Sequence, residues 1–297
     1  MQEKIGFIGQ GWIGKHYSDD FVNRGYDVVR YALEDPHVQN FNQIKECRIV
    51  FVAVPTPTTA EGFNLDAVHS AIRITALGST IVIKSTIIPG TTEKLQKEYP
   101  GHIILHSPEF LAESSAAYDA AHPVRNIIGI PKISEEHFDR AKEVLRVLPK
   151  AKYSRIMSSK EAELTKYAGN TFLYAKVVFM NVLYDLVRGS NADWETVREA
   201  LIADPRIGDS HTQPIHASGH ATDKNLEVRG AGGHCFIKDF EAMRLEHEGI
   251  MGNDMAQRLL VALKDYNNTL LINSGKDIDL LEGVYGQEEI WRLRRER

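Results

Sequence analysis

The 297-residue sequence lacks several features that mark particular classes of protein. It contains only two cysteines, Cys47 and Cys235, which excludes a disulfide framework and a four-cysteine zinc site by count. It has no apolar run long enough to span a membrane, and the residues that follow Met1 lack the apolar core of a signal peptide. We therefore expect a cytoplasmic protein that has no membrane partner.

An excess of one charge sign is also absent. The 35 Lys plus Arg residues face 40 Asp plus Glu residues, which gives a net charge of −5, and the aromatic residues are not interleaved with basic clusters. Because nucleic-acid binders need a basic surface of that kind, we expect no nucleic-acid partner. The length and the 43% hydrophobic content indicate a globular chain of two domains.

The first half of the chain alternates short apolar runs with helical patterns. Continuous β-branched runs are typical of parallel strands that are buried on both faces, and helices such as 12–24 would connect them. The sequence therefore predicts an α/β fold with a Rossmann-type doubly wound parallel sheet over residues 1–156, and we expect the sheet to end near Tyr153. The predicted strands cover 5–8, 28–31, 49–54, 81–84, 103–105 and 127–130.

From Ser158 onward the pattern becomes helical. A capping box at 158–161 starts a series of apolar residues that runs to Gly189, which predicts one helix of about 30 residues and roughly 45 Å. We expect this long spine helix to organise an all-helical domain over 157–275 and to mediate a homodimer. The apolar residues that define the helix are Leu164, Phe172, Phe179, Leu183 and Leu186.

Further helices are predicted in the second half at 193–203, 239–248 and 254–274. Residues 206–234 have no helical or strand period, which indicates a loop of functional importance or a poorly ordered one. The charged end of the chain, 276–297, is predicted to be a C-terminal tail that forms an exposed helix or frays.

A glycine motif, Gly9-Gln10-Gly11-Trp12-Ile13-Gly14, follows the first predicted strand and opens the first predicted helix. This context is that of a dinucleotide-binding fingerprint. The first glycine permits the tight turn, the second lets backbone N–H groups approach a pyrophosphate, and the third lets the helix pack on the strand. Residues 1–156 are therefore predicted to bind NAD or NADP.

The choice between the two cofactors depends on the end of the second predicted strand. The position expected to carry a ribose-binding carboxylate is Ala32, although Glu34 or Asp35 could take its place. Arg30 could instead favour a 2′-phosphate. We expect NAD, and NADP stays open.

Cys235 is the first candidate for covalent chemistry. It lies where a glycine-rich loop gives way to a helical pattern and is followed closely by Lys238, and both a helix N-terminus and a positive charge stabilise a thiolate. The alternative is a buried cysteine that packs as a small hydrophobic residue, as we expect for Cys47.

Further candidate site residues lie outside the glycine motif and the Cys235 segment. Lys166 and Asn170 lie one helical turn apart and could face a ligand together, or they could be solvated. Glu109 and Glu113 could supply a general base, although exposed loop acids are common. A loop rich in histidine does not match zinc-site spacing, so no metal is predicted. Its histidines are His211, His216, His220 and His234.

Taken in chain order, the motifs resemble those of the UDP-glucose/GDP-mannose dehydrogenase family, from the first strand to about Ser274. The resemblance depends on several segments in addition to the glycine motif. They are Val54-Pro55-Thr56-Pro57-Thr58, Lys84-Ser85-Thr86-Ile87-Ile88-Pro89-Gly90-Thr91, Ser107-Pro108-Glu109-Phe110-Leu111-Ala112-Glu113, Glu163-Leu164-Thr165-Lys166-Tyr167-Ala168-Gly169-Asn170, Asp204-Pro205-Arg206-Ile207-Gly208 and Gly232-Gly233-His234-Cys235-Phe236-Ile237-Lys238-Asp239.

The resemblance implies a nucleotide-sugar dehydrogenase of polysaccharide biosynthesis that oxidises a C6 primary alcohol to a carboxylate in two hydride transfers to NAD. Cys235 would form a thiohemiacetal and then a thioester, and Glu113 would act as the general base. Thr86, Lys166, Asn170 and Asp239 would orient water and stabilise the oxyanion. The resemblance also implies that cofactor contacts come from Val54, Thr56, Thr86 and Lys238, and that substrate contacts come from Glu109, Phe110, Leu111, Lys166, Asn170, Gly232 and Gly233.

Two alternatives remain open. A single-step dehydrogenase of the β-hydroxyacid type also joins a Rossmann domain to a helical domain, uses a Lys-x-x-x-Asn pair and needs no cysteine. A non-catalytic nucleotide-binding remnant, or a subunit that needs a partner, is the other, because the family normally continues into a further Rossmann-like domain. The family pattern is also altered before Cys235, where Ala231 replaces an aromatic residue and His234 replaces a serine.

Overall fold

The structure is a computed structural model that describes residues 4–59, 62–112, 114–216 and 228–295. The chain consists of two compact units. Unit 1 consists of Met1–Pro57 and Asn64–Lys166, and unit 2 consists of Thr58–Phe63 and Tyr167–Arg297. This division falls inside the long helix, whereas the sequence predicts a boundary at residue 156.

The described residues contain nine strands. Seven of them form one sheet in the order β2-β1-β3-β6-β7-β8-β9, in which β7 and β8 pair antiparallel and the other neighbours pair parallel. The remaining two form a small antiparallel pair in unit 2. The strands are β1 (Lys4–Ile8), β2 (Asp27–Tyr31), β3 (Ile49–Val52), β4 (Thr58–Thr59), β5 (Gly62–Phe63), β6 (Thr80–Ile83), β7 (Ile103–His106), β8 (Arg125–Ile130) and β9 (Tyr153–Ser158).

The described residues also contain twelve α-helices. The first six flank the sheet in unit 1, and the seventh begins in unit 1 and continues into unit 2. The helices are α1 (Trp12–Asn23), α2 (Phe41–Ile44), α3 (Asp66–Arg73), α4 (Thr91–Glu98), α5 (Ala116–Ala121), α6 (Glu135–Val147), α7 (Ser159–Gly189), α8 (Trp194–Ile202), α9 (His234–Met251), α10 (Met255–Asn273), α11 (Ile278–Tyr285) and α12 (Gln287–Arg295).

The core of unit 1 lies where the apolar runs become buried parallel strands. Phe7 of β1 stacks on Phe51 of β3 with ring centroids 4.9 Å apart, and Phe21 of α1 meets Phe51 edge-on. The predicted Rossmann-type sheet is thus confirmed. The seventh strand, β9, begins near Tyr153, where the sequence predicts that the sheet ends, and its residues are exposed or half-buried because it is an edge strand.

The long helix α7 is present as predicted, with 31 residues and a capping box. The Ser158 amide donates to Glu161 Oε2 at 2.9 Å, and the Glu161 amide donates to Ser158 Oγ at 3.3 Å. Several of the apolar residues that define this helix in the sequence are exposed, among them Phe172 and Phe179, and other residues pack inward. In unit 2 the buried cluster contains Tyr174, Val177, Val178 and Phe240.

The C-terminal residues pack into unit 2, whereas the sequence predicts a tail that forms an exposed helix or frays. Helices α11 and α12 pack on α9 and α10, and a buried cluster joins them through Ile237, Leu271, Leu281 and Ile290. A stripe of apolar residues among the many charges provides this packing. None of the helices in the described part of the chain combines the length and apolar character that a membrane span needs.

Candidate active site

The glycine motif forms the turn between β1 and α1. Gly9 has a φ of 89°, and a Cβ there would lie 2.4 Å from the Ala53 carbonyl oxygen, while a Cβ on Gly14 would lie 1.9 Å from the Gly9 oxygen. A Cβ on Gly11 would meet nothing within 4 Å, and Gly11 caps α1 without a side-chain hydrogen bond. Tight packing beneath the turn and open space at the helix N-terminus fit a bound pyrophosphate.

The loops that follow β3 and β6 lie at the same edge of the sheet as this turn, because these strands are parallel. Thr56 is buried, and its Oγ1 donates to the Thr86 carbonyl at 2.7 Å, while Ser85 Oγ donates to the Val54 carbonyl at 2.7 Å. The strand order reverses at β1 and β3, which is where doubly wound sheets bind their ligands. Val54, Thr56 and Thr86 therefore lie at the expected cofactor edge.

Acidic side chains are scarce directly after β2, where the ribose of the cofactor would bind. Ala32 directly follows β2, whereas Glu34 and Asp35 are exposed beyond it. The guanidinium of Arg30, the residue that could favour NADP, is 2.8 Å from Asp19. Since this arginine already pairs with a carboxylate, the geometry favours NAD over NADP.

Glu109 and Lys166 form a buried ion pair in unit 1. Lys166 Nζ lies 2.6 Å from Glu109 Oε1, and the side chains are 5% and 3% exposed respectively. The other carboxylate oxygen of Glu109 accepts the Leu111 amide at 2.8 Å, and the Arg125 guanidinium lies 3.7 Å from the centre of the Phe110 ring. Lys166 is thus not a solvated residue. Glu113, predicted as the general base, lies outside the described residues.

A second buried lysine lies close to this pair and is not predicted from the sequence. Lys84 Nζ donates to the Ser107 carbonyl at 3.2 Å and to Ser107 Oγ at 3.1 Å. Burial lowers the pKa of Lys84 to about 7, although the Glu109 carboxylate opposes this shift. Its position inside the lysine-serine-threonine segment is the only signal that could have identified it.

Glu163 connects the first turns of α7 to the start of α4. Its buried carboxylate accepts the backbone amides of Gly90 and Thr92, the latter at 2.8 Å, and also the Thr92 hydroxyl. Burial raises the pKa of Glu163 despite these hydrogen bonds. The contact fixes the part of α7 that carries Lys166.

Cys235 occupies the first turn of α9 in unit 2 and is exposed, whereas Cys47 is buried. Asp239 lies one turn after Cys235, is 1% exposed, and accepts a hydrogen bond of 2.6 Å from Asn170 Nδ2. Lys238 Nζ pairs with the other oxygen of Asp239. Residues four apart share a helix face, so Cys235 and Asp239 lie on one side of α9.

The loop that precedes Cys235 is held by hydrogen bonds with Asn267 and Asp277, which no sequence motif identifies. Asn267 of α10 binds both backbone groups of Ala231, and Asp277 Oδ2 accepts the Gly233 amide at 2.7 Å. These contacts join segments more than 30 residues apart, so spacing alone offers no signal for them. Gly232 and Gly233, which are expected to contact the substrate, lie in the part of the loop that these hydrogen bonds hold in place.

The histidines do not form a metal centre among the described residues, where no suitable cluster of His, Cys, Asp and Glu occurs. His216 Nδ1 lies 3.2 Å from Lys276 Nζ, and burial lowers the pKa of His216 to about 4. The ring of His211 is tilted against that of Phe236, with centroids 5.6 Å apart, and His234 is exposed on α9. His220 lies outside the described residues.

The doubly wound sheet and its glycine turn define unit 1 as a dinucleotide-binding domain. Two family models also match the chain: the NAD binding domain of the UDP-glucose/GDP-mannose dehydrogenase family at residues 38–148 and the central domain of that family at 160–269. Together they cover more than half of the sequence. The chain belongs to the UDP-glucose/GDP-mannose dehydrogenase family, and its cofactor is NAD.

Named relatives agree with this assignment. A UDP-glucose 6-dehydrogenase of Bacillus subtilis is 30% identical over 82% of this chain and 54% of the relative. A UDP-glucose dehydrogenase structure from Pyrobaculum islandicum has a TM-score of 0.73 at 25% identity and covers 95% of this chain and 71% of that one. The chain spans between 37% and 68% of the length of the curated relatives it matches.

A different solved structure matches the chain from end to end. The 3-hydroxyisobutyrate dehydrogenase of Mycobacterium tuberculosis has a TM-score of 0.66 at 15% identity, and the match covers 99% of this chain and 100% of that one. At this identity the likeness establishes the fold alone.

Proposed function

We propose that the chain oxidises the C6 primary alcohol of a nucleotide sugar, of the UDP-glucose or GDP-mannose type, to a uronate. The observation that carries this proposal is the exposed Cys235 on the first turn of α9, with Asp239 one turn further and hydrogen-bonded to Asn170. Two NAD molecules, bound one after the other, would each accept one of the two hydrides that the sugar carbon loses. Membership of the family supports the reaction class.

Cys235 would act as the nucleophile in the second half of the reaction. Its thiolate adds to the carbonyl carbon of the aldehyde, and the carbonyl oxygen takes up a proton, which gives a thiohemiacetal. Loss of a hydride from that carbon, for which a second NAD would be the acceptor, and loss of the hydroxyl proton give a thioester. Water then adds to the thioester and the C–S bond breaks, with Glu113 as the base that would take the proton from water, and the products are the carboxylate and the thiolate. A position on the first turn of a helix favours the thiolate form.

Asp239 would accept a hydrogen bond from water and orient it, and Asn170 would donate a hydrogen bond to the oxygen that becomes negative in unit 2. Asp239 is buried and receives hydrogen bonds from both Asn170 and Lys238, so its carboxylate has a fixed direction. Fixed donors that face a developing oxyanion lower the barrier without reorganisation at the moment of reaction. Lys238 would also contribute to the nicotinamide site, as the resemblance implies.

The unit 1 residues would serve the cofactor and the sugar. Backbone groups of the turn from Gly9 to Gly14 would hold the pyrophosphate, and Val54, Thr56 and Thr86 would line the cofactor edge. Lys166, aligned by Glu109, would stabilise the oxyanion together with Thr86. Glu109, Phe110 and Leu111 would contact the sugar, and Glu113 would act as general base.

The decisive experiment measures NADH formation with UDP-glucose, UDP-N-acetyl sugars and GDP-mannose. We expect two NADH per nucleotide sugar for the wild type and for the control Cys47→Ser, because Cys47 is buried and unit 1 needs no thiol for catalysis. Cys235→Ser should lower uronate formation by roughly 10³-fold or more, since the covalent route is lost. Two NADH per sugar from Cys235→Ser would refute the covalent mechanism.

The same assay distinguishes the alternatives. The end-to-end match to a hydroxyacid dehydrogenase fold favours tests on simple hydroxy acids as well. One NADH per hydroxy acid, unchanged by Cys235→Ser, would support a single-step dehydrogenase. NAD binding without turnover of any substrate would support a nucleotide-binding subunit that needs a partner.

We also propose that a second copy of the chain covers the outer face of α7. Phe172, Phe179 and Leu186 are 69%, 56% and 65% exposed, and they follow one another at helical spacing. Exposed apolar side chains in a contiguous row are typical of an interaction surface. The mass of the purified chain in solution tests this proposal, and a monomer at micromolar concentration would contradict it.

A further inference from the structure

We infer that Asp277, assisted by Lys276, is a positioning residue for Cys235, because the two side chains hold the backbone segment Gly230–Gly233 that leads into α9. This inference rests on the proposed function of Cys235. Both residues lie beyond the segment that matches the family's central domain, 160–269.

Side chains bind the segment Gly230–Gly233, called the held segment below, at three of its four residues. Lys276 Nζ donates to the Gly230 carbonyl at 3.2 Å, and Asp277 Oδ2 accepts the Gly233 amide at 2.7 Å. Between them, Asn267 accepts the Ala231 amide at 2.7 Å and donates to its carbonyl at 3.0 Å. The backbone path into α9 is therefore specified by hydrogen bonds as well as by packing.

Burial makes these contacts strong determinants of geometry. Lys276 is 0% exposed and Asp277 is 1% exposed. Buried charged groups are destabilising unless hydrogen bonds satisfy them, and bonds from an amide to a carboxylate are stronger than neutral ones. Because the held segment gives each of these residues one of its hydrogen bonds, a displaced segment would remove a buried hydrogen bond from both.

Gly232 of this segment approaches Asp277 and Lys276 too closely to carry a side chain. A Cβ on Gly232 would lie 2.1 Å from Asp277 Oδ2 and 2.7 Å from Lys276 Cε. Asp277 itself has a left-handed backbone, with a φ of 54°, at the N-terminus of α11. Only a glycine at position 232 and a residue that tolerates left-handed φ at position 277 are compatible with this arrangement.

The consequence for Cys235 follows from the position of Gly233. Gly233 is the N-cap of α9, with a φ of 85° and a ψ of 161°, and it lies two residues before Cys235. An N-cap determines where the first helical turn starts and which way its N–H groups point. By holding the Gly233 amide, Asp277 fixes the turn that carries the thiol.

The test compares Asp277→Asn with Asp277→Gly. Asparagine keeps an oxygen that can accept the Gly233 amide and tolerates left-handed φ, whereas glycine keeps the backbone conformation but removes the acceptor. We expect Asp277→Asn to retain nearly full kcat, and Asp277→Gly to lower kcat roughly 10-fold to 100-fold with an unchanged KM for NAD. The removed charge is common to both variants, so their difference reports the hydrogen bond.

Alkylation of Cys235 by iodoacetamide gives a readout that needs no turnover, and the buried Cys47 does not compete. We expect Asp277→Gly to react about 3-fold more slowly than Asp277→Asn, because the first helical turn is no longer fixed. Equal alkylation rates, or an Asn variant as impaired as the Gly variant, would overturn the inference. Failure of the proposed function would appear separately, as full turnover in Cys235→Ser.

A second pair of variants covers the case in which Asp277→Gly folds poorly. Gly232→Ala should slow alkylation in the wild-type background, because its Cβ collides with the Asp277 carboxylate. The matched control is Gly249→Ala in the same helix, where an added Cβ meets nothing within 4 Å, and this variant should keep the wild-type alkylation rate. A wild-type alkylation rate in Gly232→Ala would show that the segment is not held against Asp277.

Discussion

Replacement of either charged side chain of the buried Glu109–Lys166 pair should strongly destabilise unit 1. The two side chains are 3% and 5% exposed and their charged atoms are 2.6 Å apart. Removal of one partner of such a pair leaves a buried charge without its counter-charge, which costs about 3–5 kcal/mol of unfolding free energy. We therefore expect Lys166→Met and Glu109→Gln each to destabilise unit 1 by that amount.

The double variant should lose less than the sum of the two single changes. With both charges of the pair replaced, neither partner is left without its counter-charge, and we expect a coupling energy of about 2 kcal/mol or more. The control is Lys142→Met, whose ion pair with Asp139 is more than half exposed. We expect that change to alter the unfolding free energy by less than about 0.5 kcal/mol.

Cys47 provides an assay for unit 1 alone. It is 2% exposed in the folded chain, so its alkylation in increasing urea reports the unfolding of the unit that contains it. The measurement uses a Cys235→Ser background, since the exposed thiol would react at every urea concentration. Equal midpoints for Lys166→Met and Lys142→Met, or strictly additive single changes, would refute the reasoning.

Two further predictions concern unit 1. Burial lowers the pKa of Lys84 to about 7, so between pH 7 and 9 the unfolded chain binds a proton that the folded chain has released. The free energy of unfolding should rise by up to about 1.4 kcal/mol per pH unit across this window, and this gain is lost as the pH falls back towards 7. Calorimetry should show a smaller slope for Lys84→Met, and an unchanged slope would contradict the assignment. Gly14→Ala should prevent tight packing, because its Cβ would lie 1.9 Å from the Gly9 oxygen, whereas Gly11→Ala should keep wild-type stability and weaken NAD binding. Wild-type NAD affinity in Gly11→Ala would contradict the position assigned to the pyrophosphate.

The sequence predicts the sheet of unit 1 well because its strands are buried on both faces and therefore appear as continuous apolar runs. The exception is β9, where Tyr153 and its neighbours are mostly polar, since an edge strand needs little apolar surface. On α7 the periodicity identifies the helix but not its buried face. Residues such as Phe172 and Phe179 are as apolar as the inward-facing Tyr174, and they are exposed.

For the candidate site, the sequence identifies residue types but not their partners. Lys166 and Glu109 are both selected, yet their pairing over 57 positions is visible only in the folded chain. Lys276 and Asp277 escape selection because they begin a charged stretch that is typical of a solvated tail. Their burial depends on apolar residues of α11 and α12, such as Leu281 and Ile290, whose pattern is masked by the many charges at the end of the chain.

The antiparallel junction between β7 and β8 determines the direction of the long helix. Because β8 and β9 run opposite to the other five strands, β9 ends at the amino edge of the sheet, and α7 starts there. Its first turns then run back along the sheet, passing so close to Gly129 that a Cβ there would lie 2.7 Å from Ser159 Cα. Seven residues later, about 10 Å further along the axis, Lys166 reaches Glu109 beyond the carboxyl end of β7. The reversed direction of β8 and β9 thus sets the edge of the sheet at which α7 starts. In a fully parallel sheet this helix would start at the carboxyl edge, and Lys166 would not reach Glu109.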